Sequence, residues 1–135
     1  MFNYIYYDYE SSKIACVYAN RKEYLTYPSI SSYLNQLCIK NGSTLKGRTE
    51  AFKKLTGARK FIPVFVSDDI IYFPTASLKA CDCLWIRYEA IHHVEYKEKT
   101  CILFFKDATR LLYKNGNRMK GIFQSIQRYK LITTC

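Results

Sequence analysis

The 135-residue chain carries 21 Lys and Arg against 11 Asp and Glu, a net charge of +10, with 49% hydrophobic and 16% aromatic residues. That apolar content excludes a disordered chain, and the length suits one domain, residues 1–135, with a real core. No window approaches the roughly 18 apolar residues of a membrane span. The opening Met1-Phe2-Asn3-Tyr4-Ile5-Tyr6-Tyr7-Asp8 lacks the basic start and apolar run of an export signal, so a cytoplasmic protein with no membrane partner is expected.

Taken in chain order, residues 2–9 and 13–19 have the pattern of strands on either side of Glu10-Ser11-Ser12, and 23–27 of a short third before Pro28. Ser29 is placed to cap a helix over 30–40, where Ile30, Tyr33, Leu34, Leu37 and Cys38 recur at helical spacing; Asn41-Gly42 then stops it. A second helix is expected from Ser43 or Thr44 to about Leu55, with Leu45, Phe52 and Leu55 as its apolar side and Gly57 as its stop. Gly47 weakens its opening turn, which leaves open a loop over 43–48 feeding a shorter helix.

The remainder alternates in short steps. Residues 61–66 and 70–73 form a predicted hairpin around Ser67-Asp68-Asp69, ended by Pro74. A polar loop, 75–82, leads to strands near 83–88 and 91–97, then 101–105 and 109–113, joined by tight turns. Asn115-Gly116-Asn117 caps a last helix over 117–131, with Met119, Ile122, Phe123, Ile126 and Tyr129 or Lys130 on its apolar stripe. The expected fold class is α+β: an antiparallel sheet, curved or a partly open barrel, two helices between the N-terminal strands and the main sheet, and a C-terminal amphipathic helix.

The positive charge is segregated. Residues 40–60 contain Lys40, Lys46, Arg48, Lys53, Lys54, Arg59 and Lys60 against Glu50 alone, a net +6. Residues 106–135 contain Lys106, Arg110, Lys114, Arg118, Lys120, Arg128 and Lys130 against Asp107 alone, again +6, while 1–39 net 0 and 61–105 net −2. A surface charged for solubility mixes its signs; segregated cations point to a polyanion, most simply nucleic acid.

Signatures of catalysis are lacking. There is no Gly-rich phosphate loop, nucleophile elbow or metalloprotease helix, and Asp68-Asp69 suits a turn. The two histidines, His92 and His93, fall on one predicted strand and are expected to face opposite sides. Cys81-x-Cys83 lacks the second pair a zinc site needs, and the six cysteines are expected as reduced thiols, with Cys16, Cys38 and Cys101 as small core residues. No enzyme, metal or cofactor is therefore expected.

One ordered set of short motifs spans residues 37–86: Leu37-Cys38, then Gly42-Ser43-Thr44-Leu45-Lys46-Gly47-Arg48, then Lys60-Phe61-Ile62-Pro63-Val64-Phe65-Val66, then Ile71-Tyr72-Phe73-Pro74-Thr75-Ala76-Ser77, then Cys83-Leu84-Trp85-Ile86. A Cys followed by Gly-Ser-x-x-x-Gly-Arg, a Pro-containing apolar strand, Phe-Pro-Thr-x-Ser and Cys-x-Trp-Ile resembles the ComK family of competence transcription regulators, with weaker similarity continuing to about residue 130. The resemblance implies a DNA-binding transcriptional activator that recognises A/T-rich promoter boxes as an oligomer, in contact with the transcription machinery and associated with the nucleoid. The chain departs from the family pattern in a shorter C-terminus and in a divergent section over 1–30.

Within that reading, Ser43, Gly47 and Arg48, together with Gly42, form a small-residue basic turn whose amides could approach phosphates, and Arg48 is the best candidate for entering a narrow A/T minor groove. Lys46, Lys53, Lys54, Arg59 and Lys60 are expected as phosphate contacts. Arg118, Lys120 and Arg128 are a secondary basic face on the wet side of the last helix. Phe73-Pro74-Thr75 and Trp85-Ile86 are expected to serve packing. Two alternatives stand beside duplex DNA: an RNA or single-strand binder that stacks bases on exposed tyrosines, and a basic protein–protein adaptor that binds no DNA.

Overall fold

The computed structural model describes residues 1–77, 80 and 82–134. The N-terminal strands are β1 (Tyr4–Asp8), β2 (Lys13–Tyr18) and β3 (Arg21–Leu25), a meander in which β2 pairs with both neighbours. The β2–β3 turn is the pair Ala19-Asn20, both at positive φ (46° and 61°), the backbone a two-residue hairpin needs to match strand twist. Helices α1 (Ile30–Lys40) and α2 (Leu45–Thr56) follow, then β4 (Val64–Ser67), β5 (Ile70–Pro74) and the three-residue β6 (Trp85–Arg87). A 3-10 turn over Tyr88–Ala90 leads to β7 (Ile91–Tyr96), β8 (Cys101–Phe105), β9 (Arg110–Tyr113) and α3 (Gly116–Thr133).

Six strands form one antiparallel sheet in the order β3-β2-β1-β6-β5-β4; β7-β8-β9 form a second. The N-terminal meander joins the larger sheet through Tyr4↔Ile86 and Ile5↔Trp85, so the family-like motifs at 73–75 and 83–86 lie side by side at its centre, with Phe73 opposite Ile86 and Pro74 opposite Trp85. The expected α+β class, with an open sheet, two inserted helices and a terminal helix, is the architecture observed.

Alternation along the strands supplies a core on each face. One face sends Ile5, Ile14, Cys16, Val64, Val66, Tyr72 and Trp85 against Tyr33, Leu34 and Cys38 of α1. The other sends Phe65, Ile71, Phe73 and Ile86 against Met119, Ile122, Ile126 and Tyr129 of α3 and Cys101, Leu103 and Phe105 of β8. Helix α2 links the layers: Phe52 is buried and its ring lies 5.8 Å from Phe65 and 5.0 Å from Tyr129.

Several local expectations are corrected. The helix expected from Ser43 or Thr44 is observed and the alternative loop over 43–48 is not, because Thr44 caps α2 by accepting from the Gly47 amide, which places Gly47 and Arg48 in the first helical turn. Leu55 is 44% exposed and Thr56 takes its inward place, its hydroxyl donating to the Phe52 carbonyl. The strand expected from 61 begins at Val64, since Phe61 sits at φ +52. The expected strand over 83–88 shrinks to Trp85–Arg87 and gives way to the 3-10 turn. Of the polar loop 75–82, residues 78, 79 and 81 lie outside the described residues, as does the Cys81 half of the Cys81-x-Cys83 pair. Cys16, Cys38 and Cys101 are buried free thiols, as expected.

Candidate nucleic-acid interface

The turn joining α1 to α2 is only four residues, Asn41 to Thr44, with Gly42 at φ +86. Its amides are consumed internally: Asn41 and Ser43 donate to the Cys38 carbonyl and Gly42 to the Ile39 carbonyl. The Leu45 amide donates to Asn35 Oδ1 at 2.9 Å. The expectation that Gly42, Ser43 and Gly47 would offer free N–H groups to phosphate is therefore corrected. These residues set the angle at which α2 leaves α1.

What α2 presents outward is side chain. A helix returns to the same face every three or four residues, and Lys46, Glu50, Lys53 and Lys54 are all exposed. The inward stripe is Phe52 and Thr56, backed by partly covered Leu45 and Thr49. Past the C-cap Gly57, at φ +75, the chain turns back so that Ala58 and Arg59 line one shallow depression with Glu50, Lys53 and Lys54. Lys60 follows and is also exposed. Six of the eight expected contact residues thus keep an outward face or flank it: Lys46, Gly47, Lys53, Lys54, Arg59 and Lys60. Glu50 is the one acid among them.

Arg48 occupies a different setting. It is half-buried beside this strip, and its guanidinium donates to the Asn41 carbonyl at 3.2 Å, at the negative end of α1. Its Nε is buried without a partner. The thiol of Cys38 feels this charge, although burial dominates and raises that pKa. Arg48 bridges the two helices.

The second basic block is divided. Arg118 is corrected from a wet-side cation to a packed one: it donates to the Thr75 carbonyl at 3.0 Å and the Tyr113 hydroxyl at 3.1 Å, and stacks 4.3 Å from the Phe61 ring centre. The reason is its position in the first turn of α3, directly over the end of β5. Lys120 lies 4.7 Å over the Tyr96 ring and keeps an exposed head, and Arg128 is exposed. His92 and His93 are corrected as well. A bulge between Ile91 and His93 breaks the alternation, so both rings are exposed with their Nδ1 atoms 2.7 Å apart. Among the described residues no group of three or more His, Cys, Asp or Glu is placed to hold a metal.

The molecule so far is an α+β protein, without a helix among its described residues long and apolar enough to cross a membrane, that gathers one cationic strip on a helix held at a sheet edge. A family model described as ComK protein matches residues 3–114, most of the chain. The chain belongs to the ComK family, a family of competence transcription factors. The match takes in the N-terminal strands, which the sequence motifs alone had left out, and stops short of α3. No curated protein and no solved structure matches the chain significantly.

Proposed function

We propose that this protein is a DNA-binding transcriptional regulator, an activator of competence functions, acting on A/T-rich promoter DNA in the cytoplasm at the nucleoid. The observation that carries the reading is the exposed strip of Lys46, Lys53, Lys54, Arg59 and Lys60, opposed by Glu50 alone. Lys46, Lys53 and Lys54 stand on a rigid helix, with Arg59 and Lys60 just past its C-cap, and each phosphate such side chains neutralise releases counterions. Arg48 positions α2 on α1, and Lys120 and Arg128 supply a secondary contact. Family membership supports promoter DNA as the target, a homo-oligomeric active form and contact with the transcription machinery.

The test is equilibrium binding to an A/T-rich and a G/C-rich duplex over a range of salt, with structured RNA as competitor. The proposal predicts tighter binding to the A/T-rich duplex, a steep inverse dependence on salt, and poor competition by RNA. Preference for RNA would favour the single-strand reading, and no binding near physiological salt would favour a protein adaptor.

A further inference from the structure

Two adjacent histidines on a regular strand cannot act together, because successive side chains leave it on opposite faces. In β7 they can. The bulge between Ile91 and His93 adds one residue to the strand, so that Ile91 and His93 pair with the consecutive residues Phe105 and Phe104 and both imidazoles emerge exposed. Bulges re-aim side chains in this way. The two Nδ1 atoms lie 2.7 Å apart, with the ring planes nearly perpendicular at 80°. The His93 ring is also fixed from the neighbouring strand. It stacks on Phe104 with 4.5 Å between centres and 7° between planes.

The spacing of the two nitrogens is selective. With a metal–nitrogen bond of about 2.0 Å, nitrogens this close subtend an angle of about 85° at a shared ion. Square-planar and octahedral ions hold adjacent ligands at about 90°, whereas a tetrahedral ion such as zinc spreads them to about 109°, or about 3.3 Å between nitrogens. In the free pair one ring holds its proton on Nδ1 and the other on Nε2, which gives the single Nδ1–H···Nδ1 bond. Transfer of that first proton to Nε2 through water leaves both Nδ1 lone pairs open to a metal and both rings neutral. Glu95, exposed on the His93 face about 7 Å along the strand, favours a cation there; Arg110 opposes it from about 10 Å, beyond Phe104.

We propose that His92 and His93 form a surface chelate for one divalent transition-metal ion of square-planar or octahedral preference, Ni(II) or Cu(II), held through both Nδ1 atoms with water completing its shell. Two imidazoles are a small ligand set, so the affinity is expected in the micromolar range. The site shares no residue with the α2 strip, and its failure would leave the DNA reading untouched.

The experiment is calorimetric titration of the untagged full chain with Ni(II), which unlike Cu(II) leaves the free thiols reduced. The wild type is expected to bind one Ni(II) per chain, and Zn(II) more weakly. His92→Gln and His93→Gln are each expected to weaken Ni(II) binding at least tenfold, since either leaves a single imidazole. Phe104→Leu should weaken it severalfold by releasing the His93 ring, with circular dichroism melts confirming that all three variants fold. The chain has only these two histidines, so proton NMR reads the site directly: Ni(II) should perturb both sets of imidazole signals together. A wild type that binds no Ni(II), affinity that survives in either single-histidine variant, Zn(II) held as tightly as Ni(II), or perturbation of one ring alone overturns the proposal.

Discussion

Asp107 gathers the corner where the two sheets meet. One carboxylate oxygen accepts from the Asn3 side chain and the Ala19 amide, each at 2.7 Å, and the other from the amide and hydroxyl of Thr109. Partial burial alone would raise its pKa, but the hydrogen bonds from Thr109, Ala19 and Asn3 outweigh it and bring the group down to about 2. The Ala19 contact also explains how an alanine is kept at positive φ in the β2–β3 turn. A carboxylate whose pKa is depressed in the folded state stabilises the fold above its unfolded value near 4, and that contribution is lost as pH falls from about 4 to about 2. Asp107→Asn should therefore lower stability at pH 7 and flatten its decline between about pH 4 and 2. Denaturant melts across that range check this; parallel curves for variant and wild type would contradict it. At this scale the sequence was least legible. Arg118 read as a wet-side cation because its partners, Thr75 and Phe61, are distant in sequence, and the histidines read as opposed because a bulge leaves no mark in hydrophobic periodicity.

Helix α3 holds two glycines whose settings predict opposite outcomes. At Gly116 a Cβ would come within 3.0 Å of the Thr100 carbonyl oxygen, while at Gly121 it would meet nothing within 4 Å. Gly116→Ala must push the β7–β8 turn away from the helix and is expected to cost about 1–3 kcal/mol. Gly121→Ala removes backbone freedom from the unfolded chain at no steric cost and should add up to about 1 kcal/mol. Thermal melts of the two variants decide the matter, and shifts of the same sign would refute the packing described. Helices were the readable elements: Ser29, Thr44 and Asn115 each cap as their residue type suggests, and the apolar periodicity of α1 and α3 matches their buried stripes. Strands at the sheet centre were less so. β6 is three residues long, and its place beside β1 comes from a pairing across some eighty residues that no local pattern encodes. In β8 all five positions are apolar, and periodicity alone cannot say which of its faces is buried.

Across the whole molecule, two segments of equal charge in sequence become unequal in space. The first folds into a helix and its following turn, whose inward stripe is fixed by Phe52, so that its lysines are left outward. The second spreads over a hairpin, a strand and α3, and gives Arg118 to packing and Lys120 to the Tyr96 ring. The α2 strip is therefore the expected main contact with DNA, and its lysines are expected to act additively and electrostatically. The direct measurement is the slope of log affinity against log salt for wild type and for the Lys53→Ser/Lys54→Ser double variant on one A/T-rich duplex. Removal of two phosphate contacts should lower the magnitude of the slope by about 1.8 and leave the fold intact. An unchanged slope in a folded variant would show that DNA, if bound at all, is held elsewhere.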